Sequence, residues 1–350
     1  MSTTPMNKVA EAVRNTKLKK EGVPKVEIPT KPKPKFTVAK GKKSFREVFK
    51  MPTSKRDHNA SIFKPEDWSE EIRGMIPPEI EGYVWQPQLE AFHVAVESRE
   101  PIVITGPTGC GKTSFVENYA AITCRPFIRM SMRGDIESSS LLGMTIAEDG
   151  STKWSDGAIT QAVRHGGLVL LDEYDFTPPE IMYALQWLLE DNPRLLLSDK
   201  AGDLVDTMID VHPQFGLVFA GNTKGQGDMT GEFPGAQVQS MATLDRAKTA
   251  LQFDYLPEHA EKQIVKSKVD TLTDSQLEDL MKLVGLLRTN YSNGYLSVGV
   301  SPRTEVSIAK KWSYWDDPKE AFALAYVNKL EEKEQKVAYD QFNRVFGGTV

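Results

Sequence analysis

The sequence predicts an α/β fold, a parallel five-stranded sheet flanked by helices, followed by an all-α C-terminal region. Three observations predict it. A β-branched run, Ile102 to Thr105, leads directly into the glycine-rich turn Gly106-Pro107-Thr108-Gly109-Cys110-Gly111-Lys112-Thr113. A second apolar run, Leu168 to Leu171, ends in the paired carboxylates Asp172 and Glu173. From Pro257 onward strand signals stop and only helical periodicity remains.

The turn matches G-x-x-x-x-G-K-[ST] at every fixed position: Gly106, Gly111, Lys112 and Thr113. Glycines let the backbone wrap with its N–H groups inward, and the helix starting near Lys112 adds its positive dipole end, so the loop suits a polyphosphate. Residues Gly106, Pro107, Thr108, Gly109, Cys110, Gly111, Lys112, Thr113 and Ser114 are therefore the expected nucleotide contacts. Lys112 would reach the β- and γ-phosphates of ATP, and the Thr113 hydroxyl would ligate Mg²⁺.

In chain order, residues 1–43 carry alternating Lys and Pro (KLKKEGVPKVEIPTKPKPK) with little to bury, which reads as a disordered basic tail. Its twelve Lys or Arg against three Glu give +9, leaving −14 on the other 307 residues of a chain whose net charge is −5. The tail has a single aromatic residue, Phe36, too few to interleave for base stacking, which argues against a nucleic-acid partner and for a solubilising or docking arm. Residues 44–80 read as a docking segment: Phe45, Val48 and Phe49 share one face of a short helix, suited to the core or to a neighbouring subunit.

The core is expected over 81–256. Tyr83 and Val84, just ahead of a helix starting near Pro87, either contact the adenine base or pack in the core. Arg125 to Met132 is the second strand, and residues 134–167 form an insertion with a hairpin through Met144 to Trp154. The strand ending in Asp172 places a carboxylate beside the Mg²⁺ held by Thr113, while Glu173 orients and deprotonates the attacking water. Thr177-Pro178-Pro179-Glu180 has the form of a helix start, with Thr177 as N-cap and the helix running to Asp191. Residues 194–211 read as a hairpin. Phe215 to Asn222 is a buried strand whose terminal amide can hold the lytic water or sense the γ-phosphate. Met241 to Arg246 is a helix bearing an arginine, and Ala250 to Tyr255 is the fifth strand.

Residues 257–350 form the helical lid. Thr273 with Gln276 makes a capping box, Leu277, Leu280, Met281, Val284 and Leu287 form one stripe, and Ser301-Pro302-Arg303 opens the next helix. Trp312, Tyr314 and Trp315 are expected in the core of this bundle.

Composition narrows the class. A chain of 350 residues with 40% hydrophobic content buries a full core and holds two or three domains. Two cysteines with no C-x-x-C pair fit a reducing cytoplasm, and no apolar run approaches membrane-spanning length. The five histidines, at 58, 93, 165, 212 and 259, show no pair at metal-ligand spacing.

A strand and phosphate loop, a DE strand, an Asn-ended strand, an arginine-bearing helix and a helical lid together resemble an AAA+ P-loop NTPase. More narrowly, the chain resembles the MoxR-type clade and, within it, the CobS-type ATPase subunits of aerobic cobaltochelatase. The resemblance rests on REVF (Arg46 to Phe49), GPTGCGKT, LVLLDEYD (Leu168 to Asp175), LLEDNPRLLL, GNTKGQGDMTG (from Gly221), LDR (Leu244 to Arg246), DYLPEHAEKQIV and SPRT (from Ser301). It spans about residues 44 to 347. It implies ATP and Mg²⁺ as cofactors and a homo-oligomeric ring, a hexamer. Arg246 would be the arginine finger for the adjacent subunit's ATP, and Arg303 the lid arginine reaching the γ-phosphate in its own subunit. The partners it implies are an adhesion-domain (CobT-like) subunit and a large chelatase subunit, with cobalt inserted into a corrin ring. A MoxR-type chaperone remodelling another complex is the alternative.

Overall fold

The computed structural model describes residues 41–51, 56–132, 136–148, 150–225, 227 and 235–347. The Lys/Pro tail to residue 40 and most of the glycine-rich loop after Asn222 lie outside the described residues.

Five parallel strands form the central sheet: β3 (Ile102–Thr105), β4 (Phe127–Ser131), β7 (Gly167–Asp172), β10 (Phe215–Gly221) and β11 (Thr249–Gln252), in the order β11-β3-β10-β7-β4. Parallel strands need crossovers that cover both faces, so each strand must be apolar on both sides. The alternation obeys this. Ile102, Ile104, Leu168, Leu170, Val218 and Ala220 pack on one face with Phe92, Phe115 and Tyr119. Val103, Val169, Leu171, Leu217 and Phe219 pack on the other with Leu141, Ile159 and Leu185.

The register lifts the carboxyl ends to one level. Thr105 pairs with Gly221 and Gln252, while Asp172 pairs with Ala220 and Ser131. The turns after β3, β7 and β10 therefore open side by side, where ligands of open α/β sheets bind.

The segment ahead of the core docks on its own subunit. β1 (Gly41–Ser44) pairs antiparallel with β2 (Asn59–Ile62), so residues 41–43 are strand and not tail. Helix Phe45–Phe49 buries Phe45 and Phe49; Phe49 stacks on Tyr119 at 5.3 Å and Phe45 lies 4.8 Å from His93.

Two hairpins lie outside the central sheet. β5 (Gly143–Glu148) and β6 (Ser151–Asp156) form the insertion. β8 (Arg194–Leu196) pairs with β9 (Met208–Asp210), and between them lies a short helix, Leu204–Thr207, whose cap is Asp203.

Thr177 is not the cap expected of it. The helix starts at Pro179 and ends at Ala184, then passes into a 3-10 turn, Gln186–Leu189. The reason is local: Pro178 precedes another proline, which excludes it from the helical region, and its ψ is 137°.

The C-terminal helices, Glu258–Lys268, Asp274–Ser292, Pro302–Trp315, Pro318–Ala325 and Glu332–Phe346, enclose a second core around Leu280, Leu287, Trp312 and Phe322. The Thr273/Gln276 capping box is present. Tyr314 and Trp315 are not in that core. They are 81% and 45% exposed, because the buried stripe runs Glu305, Ile308, Ala309, Trp312, and αL Asp316 ends the helix beyond it. Among the described residues no helix is long and apolar enough to cross a membrane.

Candidate functional site

The phosphate loop is shaped by close approaches that only glycine permits. Gly109 and Gly111 have φ of 78° and 93°, which L side chains avoid. A Cβ on Gly106 would stand 2.6 Å from the Phe253 carbonyl oxygen, and one on Gly109 2.5 Å from Ser301 Cβ. The loop is thus held between the end of the sheet and the N-cap of helix Pro302–Trp315.

Helix Lys112–Thr123 starts directly from Gly111. Lys112 is buried, and its ammonium donates to Gly106 O at 2.8 Å, Pro107 O at 3.1 Å and Asn222 Oδ1 at 2.8 Å. All three partners are uncharged. Burial accordingly pushes the Lys112 pKa down, since nothing within hydrogen-bond reach offsets the desolvated cation. An anionic ligand in the loop would supply that missing charge.

Thr113 Oγ1 donates to Asp172 Oδ2 at 2.8 Å. Cis oxygens of an octahedral Mg²⁺ with bonds of about 2.0–2.1 Å stand roughly 2.9 Å apart. Two hard oxygen donors at that spacing, beside a phosphate-binding loop, fit Mg²⁺. The same Oδ2 accepts the Arg129 Nε–H at 2.9 Å, and Arg129 Nη2 stands 2.7 Å from it as an ion pair. Among the described residues no three His, Cys, Asp or Glu side chains gather as a metal cluster.

Glu173 follows the strand with φ 59° and ψ 37°, a left-handed conformation for a non-glycine residue. Such backbone strain is held in place only by its surroundings. Here the Glu173 N–H donates to Asp172 Oδ1 at 3.1 Å, and Glu173 Oε2 accepts from Ser131 Oγ at 3.0 Å.

Asn222 lies just past β10. Its backbone N–H and that of Thr223 donate to Asp175 Oδ2, at 2.9 and 2.8 Å, and its side chain meets Lys112.

Two cavities flank the loop. One of ≈ 330 Å³ is lined by Tyr83, Val84, Gly109 to Gly111, Ser114, Ile264 and Arg303. Apolar side chains beside the loop backbone suit a base and sugar, and burial pushes the Tyr83 phenol far up, so it stays neutral. The other, of ≈ 690 Å³, is lined by Gly106 to Thr108, Asn222, Lys224, Tyr255 and Arg303. Arg303 borders both, and its charge acts on Lys112.

Of the residues expected from sequence, Gly106 to Ser114, Tyr83, Val84, Asp172, Glu173, Asn222 and Arg303 converge at one end of the sheet. Arg246 does not join them. It lines neither cavity and pairs with Glu190 Oε1 at 2.9 Å within its own chain. Sequence reasoning assigned no role to Arg129, Asp175, Gln86 or Ser301. Gln86 Nε2 ties Cys110 O to Asp254 O, at 3.1 and 2.9 Å, holding the loop to the end of the sheet. Asp175 and Ser301 were in plain view, as the last residue of LVLLDEYD and the first of SPRT; Arg129 and Gln86 carried no local signal.

Comparison with known proteins places this arrangement among relatives. The family model of the AAA domain, dynein-related subfamily, matches residues 101–234. Aerobic cobaltochelatase subunit CobS of Sinorhizobium sp is 32% identical over 254 residues, covering 70% of this chain and 75% of its own length. Protein CbbQ of Hydrogenophilus thermoluteolus is 30% identical over 251 residues, 68% of this chain and 89% of its own. Protein NorQ of Paracoccus denitrificans is 30% identical over 225 residues, 63% and 77%.

Proposed function

The chain belongs to the MoxR-type AAA+ ATPases, and from that premise we propose that it hydrolyses Mg²⁺–ATP at subunit seams of a homo-oligomeric ring, a hexamer, to drive a partner complex. The observation that carries the nucleotide reading is the buried Lys112 ammonium among uncharged oxygens.

Thr113 and Asp172 would hold Mg²⁺, which neutralises developing charge on the phosphates when bound. Glu173, fixed by Ser131, accepts a proton from the attacking water. Asn222, aimed by Asp175, positions that water or registers the terminal phosphate. Arg303 closes the lid side. Tyr83 and Val84 border the base. Arg246 serves the neighbouring subunit's site, which fits its distance from both cavities in its own chain.

For the client, the reading is metal insertion: a motor subunit driving Co²⁺ into a corrin ring with an adhesion-domain subunit and a large chelatase subunit. The likeness to CobS over most of both chains supports it. CbbQ and NorQ are nearly as similar, so the likeness to CobS does not single out metal insertion, and the MoxR-type alternative, remodelling of another protein complex, is the second reading. The two unpaired cysteines suit a cytoplasmic setting.

Steady-state ATPase assays test the activity. Wild type is expected to turn over ATP and Lys112→Ala to fail to bind it; equal activity in the two would overturn the reading. Capture with Glu173→Gln in ATP tests the client: retention of a large chelatase subunit supports metal insertion, and retention of a different complex replaces it.

A further inference from the structure

Asp172 Oδ2 is crowded. It accepts the Thr113 hydroxyl and the Arg129 Nε–H and is ion-paired with Arg129 Nη2, while Oδ1 accepts the Glu173 N–H. The Asp172 side chain is 8% exposed and the Arg129 side chain 54%. A desolvated carboxylate needs compensation, and Arg129 provides it through a charge-assisted contact from Nε and Nη2.

A divalent ion on Asp172 would require the lone pairs and the field that Arg129 now holds. Two cations on one oxygen repel, so Mg²⁺ and the guanidinium exclude each other there. β4 is an edge strand of the sheet, so the half-exposed guanidinium can leave toward solvent without unpacking any core residue.

We propose that Arg129 is a built-in counter-ion for the magnesium carboxylate. It occupies Asp172 in the nucleotide-free chain, is displaced by incoming Mg²⁺–nucleotide, and so sets how much Mg²⁺ the site requires. This rests on the Mg²⁺–nucleotide reading above.

The test is binding, not turnover. Fluorescent mant-ADP affinity is titrated against free Mg²⁺ for the full chain and for Arg129→Gln, Arg129→Lys and Lys112→Ala. Wild-type binding is expected to require Lys112 and to strengthen with Mg²⁺. Removing the competing cation in Arg129→Gln should lower the half-effective Mg²⁺ concentration about tenfold, with Arg129→Lys between the two. An unchanged or raised Mg²⁺ requirement in Arg129→Gln overturns the proposal and leaves the nucleotide reading standing. Wild-type binding indifferent to both Lys112 and Mg²⁺ overturns the reading and the proposal with it.

Melting without nucleotide gives a second measurement. Arg129→Gln, with Asp172 uncompensated, should melt below wild type and recover on addition of Mg²⁺ alone; no recovery counts against the proposal. If Arg129→Gln does not fold, Arg129→Lys decides: its Mg²⁺ requirement must fall at least about threefold, or the proposal is lost.

Discussion

The fully buried carboxylate of Asp175 accepts the backbone N–H of Asn222 at 2.9 Å, and Asn222 in turn holds the Lys112 ammonium at 2.8 Å. One side chain thereby ties the end of β10 to the phosphate loop across the sheet. Asp175→Ala would leave two N–H groups, of Asn222 and Thr223, without their charged acceptor. Hydrogen bonds to charged groups are worth about 1.5–3 kcal/mol each, so the loss of two is expected to cost roughly 3–6 kcal/mol in denaturant unfolding. Asp175→Asn keeps an acceptor oxygen at that place and should cost much less. Equal costs for the two would mean the carboxylate acts by charge and not by its two bonds.

The Gly109–Ser301 approach predicts a two-part penalty. In Gly109→Ala the new Cβ would meet Ser301 Cβ at 2.5 Å, and the residue must also hold φ 78°. The left-handed conformation alone costs about 1–2 kcal/mol. Gly109→Ala should therefore weaken nucleotide binding tenfold or more, and adding Ser301→Gly should restore only the steric share. Full rescue would remove the backbone contribution, and no rescue would show that the lid does not press on the loop.

The strands and the phosphate loop were legible because their signals are local: an apolar run followed by Gly-rich or acidic residues is readable within ten positions. Arg129 was not legible. Its partner Asp172 lies 43 residues away, and only the β4–β7 register brings them together. Ser301 likewise meets Gly109 across nearly 200 residues. Thr177 misled because the capping-box pattern is local, whereas the constraint that overrode it came from the second of two prolines. Tyr314 and Trp315 misled because aromatic character suggested burial where the helical period, counted from Glu305, turns outward.

Inside the lid, Arg288 bridges two buried carboxylates, Glu261 at 2.7 Å and Glu305 at 2.7 Å, and lies 4.1 Å over the Tyr255 ring. Burial first, and the charge of Glu261 second, push the Glu305 pKa from its ordinary 4.5 up to about 8, with Arg288 opposing but not prevailing. The folded state thus holds a proton that the unfolded state has released between those values. Its contribution to stability is complete below about pH 4.5 and is lost as pH rises through about 8. Glu305→Gln keeps an acceptor for Arg288 but cannot ionise. Melting temperature is expected to fall from pH 5 to 9 in wild type by the equivalent of about 1 kcal/mol or more, and to fall less steeply in Glu305→Gln. Parallel pH profiles would assign the titration elsewhere.

Glu173 and Arg246 are best tested together, because each is expected to disable a different half of one site. Glu173→Gln should bind ATP with affinity close to wild type and lose at least about a hundredfold in turnover, since the amide cannot take the water's proton. Arg246→Ala, which breaks the pair with Glu190, should also lose turnover, by about 10³-fold or more if the arginine stabilises transition-state charge. When the two variants are mixed before assembly, a seam is complete wherever an Arg246→Ala subunit, with its own Glu173, faces a Glu173→Gln subunit that still offers Arg246. Random mixing at equal amounts makes about a quarter of seams complete, so recovery approaching that share of wild-type ATPase is expected. Rings shown by mass to be mixed, yet without any recovery, would remove Arg246 from the neighbour's site and leave its pair with Glu190 as its structural role.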